Sequence, residues 1–216
     1  LMDVAALILA AGKGTRLNSS LPKPLHRIGG RPMLAWSLDA ARAAGASRIV
    51  TILGTGAEVV KTWLDGGESC VQDPPNGTGH AVLAAQPTLG DFTGIVLVMF
   101  ADTPLVTAAT LTDLTAAIRD GADIAVLGFT AADPTGYGRL VTDADGSLVK
   151  IVEEIDANAA ELGITLVNGG VMGARAELLF DLLANTTPNN SRGEIYLTDI
   201  VEQASHANHK VVYRLT

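Results

Sequence analysis

Three short apolar runs, rich in branched side chains, stand out along the chain at residues 4–10, 95–100 and 124–129. A weaker run of the same kind covers residues 49–53. Runs of this length and composition are typical of strands that are buried on both faces, as in a parallel sheet. The pattern therefore predicts four strands in the core of the protein.

Segments with helical spacing lie between these runs. The clearest has apolar residues at Leu111, Leu114 and Ile118, preceded by a capping residue at Thr107 and followed by Gly121. Alternation of strands and helices predicts an α/β fold, a Rossmann-like doubly wound sheet that is mostly parallel. Such a sheet binds ligands at the carboxyl ends of its strands, where the strand order reverses.

After about residue 134 the strand-like segments become shorter and glycines become more frequent between them. Gly136, Gly138 and Gly146 separate two short strand-like pieces at 139–142 and 148–153, which indicates a hairpin-rich half. Further along, the pattern predicts helices at 175–183 and 194–205, a polar loop at 186–193 and a closing strand at 210–215. Residues 1–216 are interpreted as one domain with two halves, about 1–110 and about 111–216.

Composition limits the classes of function. With 48% apolar and 18% charged residues, 216 residues can bury a large core, in one domain or in two small ones. A net charge of -8 argues against a general nucleic-acid-binding role, which needs many basic contacts to phosphates. Cys70 is the only cysteine in the sequence, so these residues contain neither a disulfide nor a multi-cysteine zinc site. The apolar runs are too short to span a membrane, and we expect a cytoplasmic protein with no membrane partner.

The loop after the first run concentrates positive charge. Residues 9–17 read L-A-A-G-K-G-T-R-L and residues 21–25 read L-P-K-P-L. Glycines at 12 and 14 allow a tight turn whose amide groups can approach a phosphate, and Arg16 and Lys23 add charge. The spacing fits neither a Walker A loop nor the dinucleotide fingerprint. The alternative is a glycine turn with solvated cations.

Asp102 follows the apolar run at 95–100, where a parallel sheet places its ligands. A carboxylate at that place suits Mg²⁺, which binds through one or two carboxylates together with substrate phosphates. The alternative is a turn aspartate before Pro104.

The glycine loop with its L-P-K-P-L continuation closely resembles the signature of the nucleoside-diphosphate-sugar pyrophosphorylases. Further motifs follow in order: Gln72 before G-T-G-H-A at 77–81, A-D-T-P-L at 101–105, G-Y-G-R at 136–139, I-V-E-E at 151–154, V-N at 167–168 and Y-L-T-D at 196–199. This ordered set, from Ala6 to about Asp199, resembles the N-terminal domain of the bifunctional N-acetylglucosamine-1-phosphate uridylyltransferases. The resemblance implies the fold of the nucleotide-diphospho-sugar transferases, which is GT-A-like, with a nucleotide-binding first half and a sugar-binding second half.

The resemblance also implies roles for individual residues. The catalytic residues would be Arg16, Lys23 and Asp102, with Asp102 as a ligand of the cofactor Mg²⁺. The residues that contact UTP would be Leu9, Ala10, Ala11, Gly12, Gly14, Lys23, Gln72, Gly77, Thr78, Phe100 and Ala101. The residues that contact the sugar would be Gly138, Glu153, Asn168, Tyr196 and Thr198. Next to these, we interpret His80 as a structural histidine and Glu154 as a solvated charge.

The implied reaction joins UTP to N-acetylglucosamine 1-phosphate and releases diphosphate, which supplies UDP-N-acetylglucosamine for peptidoglycan and lipopolysaccharide precursors. The attacking phosphate is already anionic, so catalysis needs positioning and charge neutralisation rather than a general base. We expect Arg16→Ala to lower turnover by orders of magnitude with the fold intact. Two alternatives remain open: another sugar 1-phosphate or nucleotide, such as glucose 1-phosphate with UTP or dTTP, or a module that binds nucleotide sugars without catalysis.

Three departures from the family pattern stand out. Phe100 and Ala101 replace the usual Tyr-Gly, and the sequence at 168–170 is Asn-Gly-Gly. The family's second metal ligand, an asparagine in a Gly-Val-Asn motif, and its C-terminal β-helix acetyltransferase domain lie beyond the last residue, Thr216. Because full-length relatives form trimers through that domain, we expect the present chain to be monomeric or weakly associated, and its metal binding to be weak if it is a fragment.

Overall fold

The fold is described from a computed structural model, which covers residues 2–12, 14 and 17–216. Its β-strands are β1 Val4–Ala10, β2 Arg27–Ile28, β3 Arg31–Pro32, β4 Arg48–Gly54, β5 Glu68–Gln72, β6 Ile95–Phe100, β7 Ile124–Thr130, β8 Arg139–Thr142, β9 Leu148–Val152, β10 Leu166–Arg175 and β11 Val211–Leu215. Its α-helices are α1 Met33–Ala43, α2 Glu58–Trp63, α3 Thr78–Leu89, α4 Ala108–Arg119, α5 Ala159–Leu162, α6 Ala176–Ala184 and α7 Asp199–His206. Short 3-10 helices cover Lys23–Leu25 and Glu154–Asp156.

The main sheet has the strand order β11-β7-β10-β6-β1-β4-β5. All neighbours in this order are parallel except β10, which is antiparallel to both β6 and β7. The hairpin of β8 and β9 is attached to the sheet through β10. The predicted α/β fold with a mostly parallel sheet and a hairpin-bearing second half is thereby confirmed.

Side chains of β1 alternate between the two faces of the sheet. Ala5, Leu7 and Leu9 belong to a core that includes residues of α3, α6 and α7. Ala6 and Ile8 belong to a second core, on the other face, that includes residues of α1, α2 and α4. Because helices cover both faces, every residue of β1 is buried, which explains its continuous apolar sequence.

The strand order reverses at β1, which pairs with β4 on one side and with β6 on the other. The carboxyl ends of β1 and β6 lie together, with Leu9 opposite Phe100. In open α/β sheets the connections diverge at such a point and leave a crevice for a ligand. Gly54, at the end of β4, lets the backbone of Ala11 pass close to it, since a Cβ at this position would lie 2.8 Å from the carbonyl oxygen of Ala11.

The sequence missed one central strand and placed the start of one helix too early. Strand β10 was not predicted, although it lies in the middle of the sheet; Gly169, Gly170 and Gly173 interrupt its apolar pattern, and its register shifts between Asn168 and Met172. The helix predicted at 194–205 begins only at Asp199. Residues 194–198 are not helical because the N–H of Ile195 donates to the carbonyl of Asn76, and its carbonyl accepts from the N–H of Gly79. Among the described residues, no helix is long and apolar enough to cross a membrane.

Candidate active site

A cleft of about 1110 Å³ opens at the carboxyl ends of β1 and β6 and extends to the β8–β9 hairpin. Its lining includes most of the residues predicted from the sequence: Leu9, Ala10, Ala11, Gly12, Lys23, Gln72, Gly77, Thr78, Phe100, Ala101, Asp102, Gly138, Glu153, Asn168, Tyr196 and Thr198. The fold therefore brings segments that are far apart in sequence around one space. Gly14 lies outside the lining, and Arg16 lies outside the residues that the structure describes.

Lys23 and Asp102 are in contact at the end of the cleft formed by the carboxyl ends of β1 and β6, here called the strand end. Lys23 Nζ forms an ion pair with Asp102 Oδ2, and both side chains are about one-third exposed, at 35% and 34%. Asp102 immediately follows β6, whereas Lys23 is carried by the short 3-10 helix after the glycine loop. Gly14 has φ +59°, and a Cβ at this position would lie 2.8 Å from Lys23 Cβ, so a glycine lets the loop pass against the lysine.

Gln72 also lines the cleft, at the carboxyl end of β5. It is the last residue of β5 and is 5% exposed. Its Nε2 donates to the carbonyl oxygen of Gly77 at 2.9 Å and lies 3.2 Å from His80 Nδ1. Gly77 has φ +94°, and any Cβ there would overlap the carbonyl of Ile195. The glycine turn is therefore required both by its backbone conformation and by close packing.

Glu153 and Thr198 form a hydrogen-bonded pair at the hairpin end of the cleft. Thr198 Oγ1 donates to Glu153 Oε1 at 3.1 Å. Burial raises the pKa of Glu153 above its usual value of 4.5, and the hydrogen bond from Thr198 opposes that shift. Asn168 reaches the same wall from β10, where its N–H donates to the carbonyl of Gly138 at 2.8 Å.

Glu154 was interpreted as a solvated charge, and this was wrong. Its Oε2 accepts from the N–H of Gly136 and, at 3.1 Å, from Nη2 of Arg139. Arg139 is 2% exposed and also donates to the carbonyl oxygens of Tyr137 and Leu162. A charged residue within the G-Y-G-R motif was the available signal, but its burial depends on packing that the sequence does not display.

Arg192 is a second residue that the sequence interpretation missed. It lines the cleft near Glu153 and Tyr196. Burial raises the pKa of both groups, and the positive charge of Arg192 lowers it. Its only sequence signal was a cation in the polar loop just before the Y-L-T-D motif.

Residues 190–198, here called the bridging segment, contact both ends of the cleft. The N–H of Ser191 donates to Asp156 Oδ1 at 2.9 Å, and Thr198 contacts Glu153. Between these points, Ile195 pairs with the backbone of Asn76 and Gly79. One continuous stretch of chain thus joins the turn beside Gln72 to the turn beside Glu153.

Comparison with known proteins shows the family to which the chain belongs. Residues 6–161 match the family described as the MobA-like NTP transferase domain. The chain belongs to the MobA-like NTP transferase family. The resemblance to bifunctional enzymes is confirmed by relatives named bifunctional protein GlmU: that of Maricaulis maris is 51% identical over 199 residues, and that of Hyphomonas neptunium is 49% identical over 201 residues. Each alignment covers 91% of this chain but 44% of the relative, so the chain spans less than half the length of these proteins.

A solved UDP-glucose pyrophosphorylase in complex with UDP-glucose has the same fold as this NTP transferase domain. The TM-score is 0.82, and the match covers 99% of this chain and 90% of the other, at 19% sequence identity. The likeness at that identity concerns the fold, whereas the chemistry must be argued from the cleft itself.

The cleft of this NTP transferase has a donor set that suits a hard divalent ion shared with a substrate. Asp102 offers carboxylate oxygens at the carboxyl end of β6, beside the cation of Lys23. Among the described residues there is no group of three or more His, Cys, Asp or Glu side chains that could hold a metal. One carboxylate in an open cleft fits Mg²⁺, which takes few protein ligands and completes its shell with phosphate oxygens and water.

Proposed function

We propose that this domain transfers a uridylyl group from UTP to a hexosamine 1-phosphate, with N-acetylglucosamine 1-phosphate as the preferred acceptor. The observation that carries the proposal is the single cleft that contains Gln72, the Lys23–Asp102 pair and Glu153. An enzyme of this kind must bind a base, a triphosphate and a sugar at once, and these three groups offer the matching chemistry. The ordered motifs and the GlmU relatives support the same assignment.

In the proposed reaction, a phosphate oxygen of the sugar phosphate attacks the α-phosphorus of UTP. The bond between that phosphorus and the oxygen bridging to the β-phosphorus breaks, and pyrophosphate leaves with the bonding electrons. Lys23 offsets negative charge that collects on the transferring group, and the resemblance assigns the same task to Arg16. Because the nucleophile is already ionised, no side chain has to remove a proton.

Asp102 is the residue that we propose as the Mg²⁺ ligand. When bound there, the ion would neutralise charge on the α-phosphate and on the leaving pyrophosphate. The ion pair with Lys23 keeps the Asp102 carboxylate at the strand end of the cleft before a ligand arrives. Lys23 is then placed to contact the phosphates, since it is held beside the carboxylate.

Glu153, Asn168 and the backbone of Gly138 are proposed to hold the sugar hydroxyl and N-acetyl groups, with Tyr196 and Thr198 beside them. A buried polar group without its partner costs about 1–3 kcal/mol, so such a set discriminates among sugars. By the family resemblance, we propose that the reaction takes place in the cytoplasm, as a source of UDP-hexosamine for peptidoglycan and lipopolysaccharide precursors.

The decisive experiment measures pyrophosphate release from UTP with a panel of sugar 1-phosphates in the presence of Mg²⁺. We expect turnover with N-acetylglucosamine 1-phosphate and much slower turnover with glucose 1-phosphate. Binding of UDP-sugar without any turnover would instead identify a non-catalytic module and reject the proposal.

Asp102→Asn tests the metal assignment separately. We expect a loss of about 100-fold or more in turnover, and a higher Mg²⁺ concentration at half-maximal rate, since the variant loses a charged oxygen ligand. Asp91→Asn, at an exposed position outside the cleft, is the matched control. An unchanged Mg²⁺ dependence in Asp102→Asn would remove Asp102 as a ligand.

A further inference from the structure

The side-chain amide of Gln72 is held at its nitrogen from two directions. The carbonyl oxygen of Gly77 can only accept a hydrogen bond, so the group 2.9 Å away must be the amide nitrogen rather than the amide oxygen. The second N–H of this nitrogen meets His80 Nδ1 at 3.2 Å. Since the amide nitrogen only donates, Nδ1 accepts, and the ring proton of this histidine resides on Nε2.

This arrangement leaves the amide oxygen to meet the ligand. Gln72 lines the cleft, and within the part of the chain that the structure describes no group donates a hydrogen bond to its Oε1. Uracil offers a donor at N3–H, whereas cytosine has an acceptor at the same ring position. If the amide cannot rotate to exchange its oxygen and nitrogen, its oxygen accepts a hydrogen bond from N3–H of uracil. The same oxygen faces an acceptor, N3, when cytosine is bound, which disfavours cytosine.

The backbone that carries His80 is held in place by hydrogen bonds. It lies in the first turn of α3, which is anchored to the bridging segment by two hydrogen bonds: the N–H of Gly79 donates to the carbonyl of Ile195 at 2.8 Å, and Thr78 Oγ1 accepts from the N–H of Leu197 at 2.9 Å. Gly79 also packs closely, since a Cβ there would lie 2.8 Å from Ile195 Cγ2. The ring is not part of the cleft lining, so it acts on a ligand only through Gln72.

We infer that His80 is a positioning residue that sets the preference for uracil over cytosine by fixing the orientation of the Gln72 amide. The inference rests on the proposed function only in taking the base of a pyrimidine nucleotide as the group that Gln72 meets. It assigns to His80 a task beyond the structural one expected from the sequence. The Gly77 carbonyl alone holds one N–H, and the imidazole supplies the second acceptor that makes rotation of the amide costly.

The test compares three variants by calorimetric binding of UTP and CTP, with pyrophosphate release measured in parallel. His80→Phe keeps a ring but removes the acceptor, and His80→Asn keeps an acceptor oxygen near the position of Nδ1. We expect the ratio of UTP to CTP affinity to fall about tenfold in His80→Phe, the factor for loss of one hydrogen bond, and to stay within about threefold of wild type in His80→Asn. The exposed His206→Phe is the matched control and leaves the ratio unchanged.

The KM for the sugar phosphate separates positioning from general damage. We expect His80→Phe to leave this KM unchanged while the affinity for UTP falls. An unchanged UTP to CTP ratio in His80→Phe overturns the inference, and so does a parallel loss of UTP, CTP and sugar phosphate binding in both His80 variants. Selective UTP binding without turnover in the wild type would reject the proposed function but leave the role of His80 intact, because the affinity ratio is measured without catalysis.

Discussion

Arg139 and Glu154 form an ion pair with only one partner open to solvent. Nη2 of Arg139 donates to Oε2 of Glu154 at 3.1 Å, and the side chains are 2% and 35% exposed respectively. The same guanidinium donates to the carbonyl oxygens of Tyr137 and Leu162, and both of these residues line the cleft. Three segments of the cleft wall are thus joined by one buried cation.

Arg139→Met should lower the free energy of unfolding by about 2–3 kcal/mol, because the carbonyl oxygens of Tyr137 and Leu162 lose their hydrogen-bond donor, whereas the partly exposed Glu154 keeps the N–H of Gly136. Chemical denaturation measures this loss. Arg42→Met is the control, since Arg42 pairs with Asp39 but is 62% exposed, and an exposed pair contributes about 1 kcal/mol or less. Equal losses in the two variants would show that Arg139 does not join the wall segments.

Gly77→Ala should both destabilise the fold and weaken UTP binding. The substitution places a Cβ against the carbonyl of Ile195 at a residue with φ +94°. Gly56→Ala separates the two effects, because Gly56 has φ +80° but no atom within 4 Å of the added Cβ. We expect a cost of about 1 kcal/mol at Gly56, from backbone strain alone, and at least about twice that at Gly77. Denaturant midpoints and the KM for UTP report the two effects, and equal costs would contradict the packing argument.

The KM for the sugar phosphate should rise as the pH falls through the pKa of Glu153. Burial raises that pKa, and only the ionised carboxylate has both oxygens available to accept from sugar hydroxyls. Thr198→Val removes the hydrogen bond that favours ionisation, so the rise in KM should begin at a higher pH. Thr198→Ser keeps the hydroxyl and should restore the wild-type profile. Because the substrate phosphate titrates identically with every variant, a profile that does not move in Thr198→Val would exclude Glu153 as the titrating group.

Asp199 should make the protein less stable as the pH rises from about 4 to about 7. Burial raises the pKa of Asp199 from 3.8 to about 6, and the nearby charges of Glu153 and Glu202 act in the same direction. Between these two pKa values the native state retains a proton that the unfolded chain has released, so the stabilisation present at low pH is lost as the pH increases.

The asparagine side chain of the Asp199→Asn variant does not titrate. The difference in unfolding free energy between Asp199→Asn and wild type should therefore shift in favour of the variant by about 1–2 kcal/mol between pH 4 and pH 7, allowing for solvent screening. Glu177→Gln, at an exposed position on α6, should show no such trend. A constant difference for Asp199→Asn would contradict the raised pKa.

Elements with a strong local signal were predicted closely from the sequence. Strands β1 and β6 have the predicted bounds, because their side chains are buried on both faces and leave continuous apolar runs. The predicted cap of α4 is present, with Thr107 Oγ1 accepting from the N–H of Thr110 at 3.2 Å. The polar loop predicted at 186–193 is also free of regular structure.

Features that depend on distant partners were not predictable in the same way. Strand β10 is specified by its neighbours β6 and β7 rather than by its own glycine-rich sequence. Glu154 is fixed by an arginine fifteen residues earlier whose burial arises only in the folded hairpin. Most residues around the cleft were predicted because the order of the motifs indicates which distant segments come together, which local patterns do not. The roles assigned to these residues, including that of Arg16, stay predictions.

Under the proposed function, the bridging segment connects the residues that recognise the base to those that recognise the sugar. Its backbone is matched to the glycine turn at Gly77 and Gly79, and its last residue, Thr198, is matched to Glu153. A chimera that replaces the β8–β9 hairpin to change the acceptor would also need the bridging segment of the donor protein. That segment would then pack against the turn at Gly77 and Gly79, to which its backbone is not matched. Under the proposed function, base recognition and acceptor recognition therefore share one segment of backbone, and we expect a change in one to need compensating substitutions in the other.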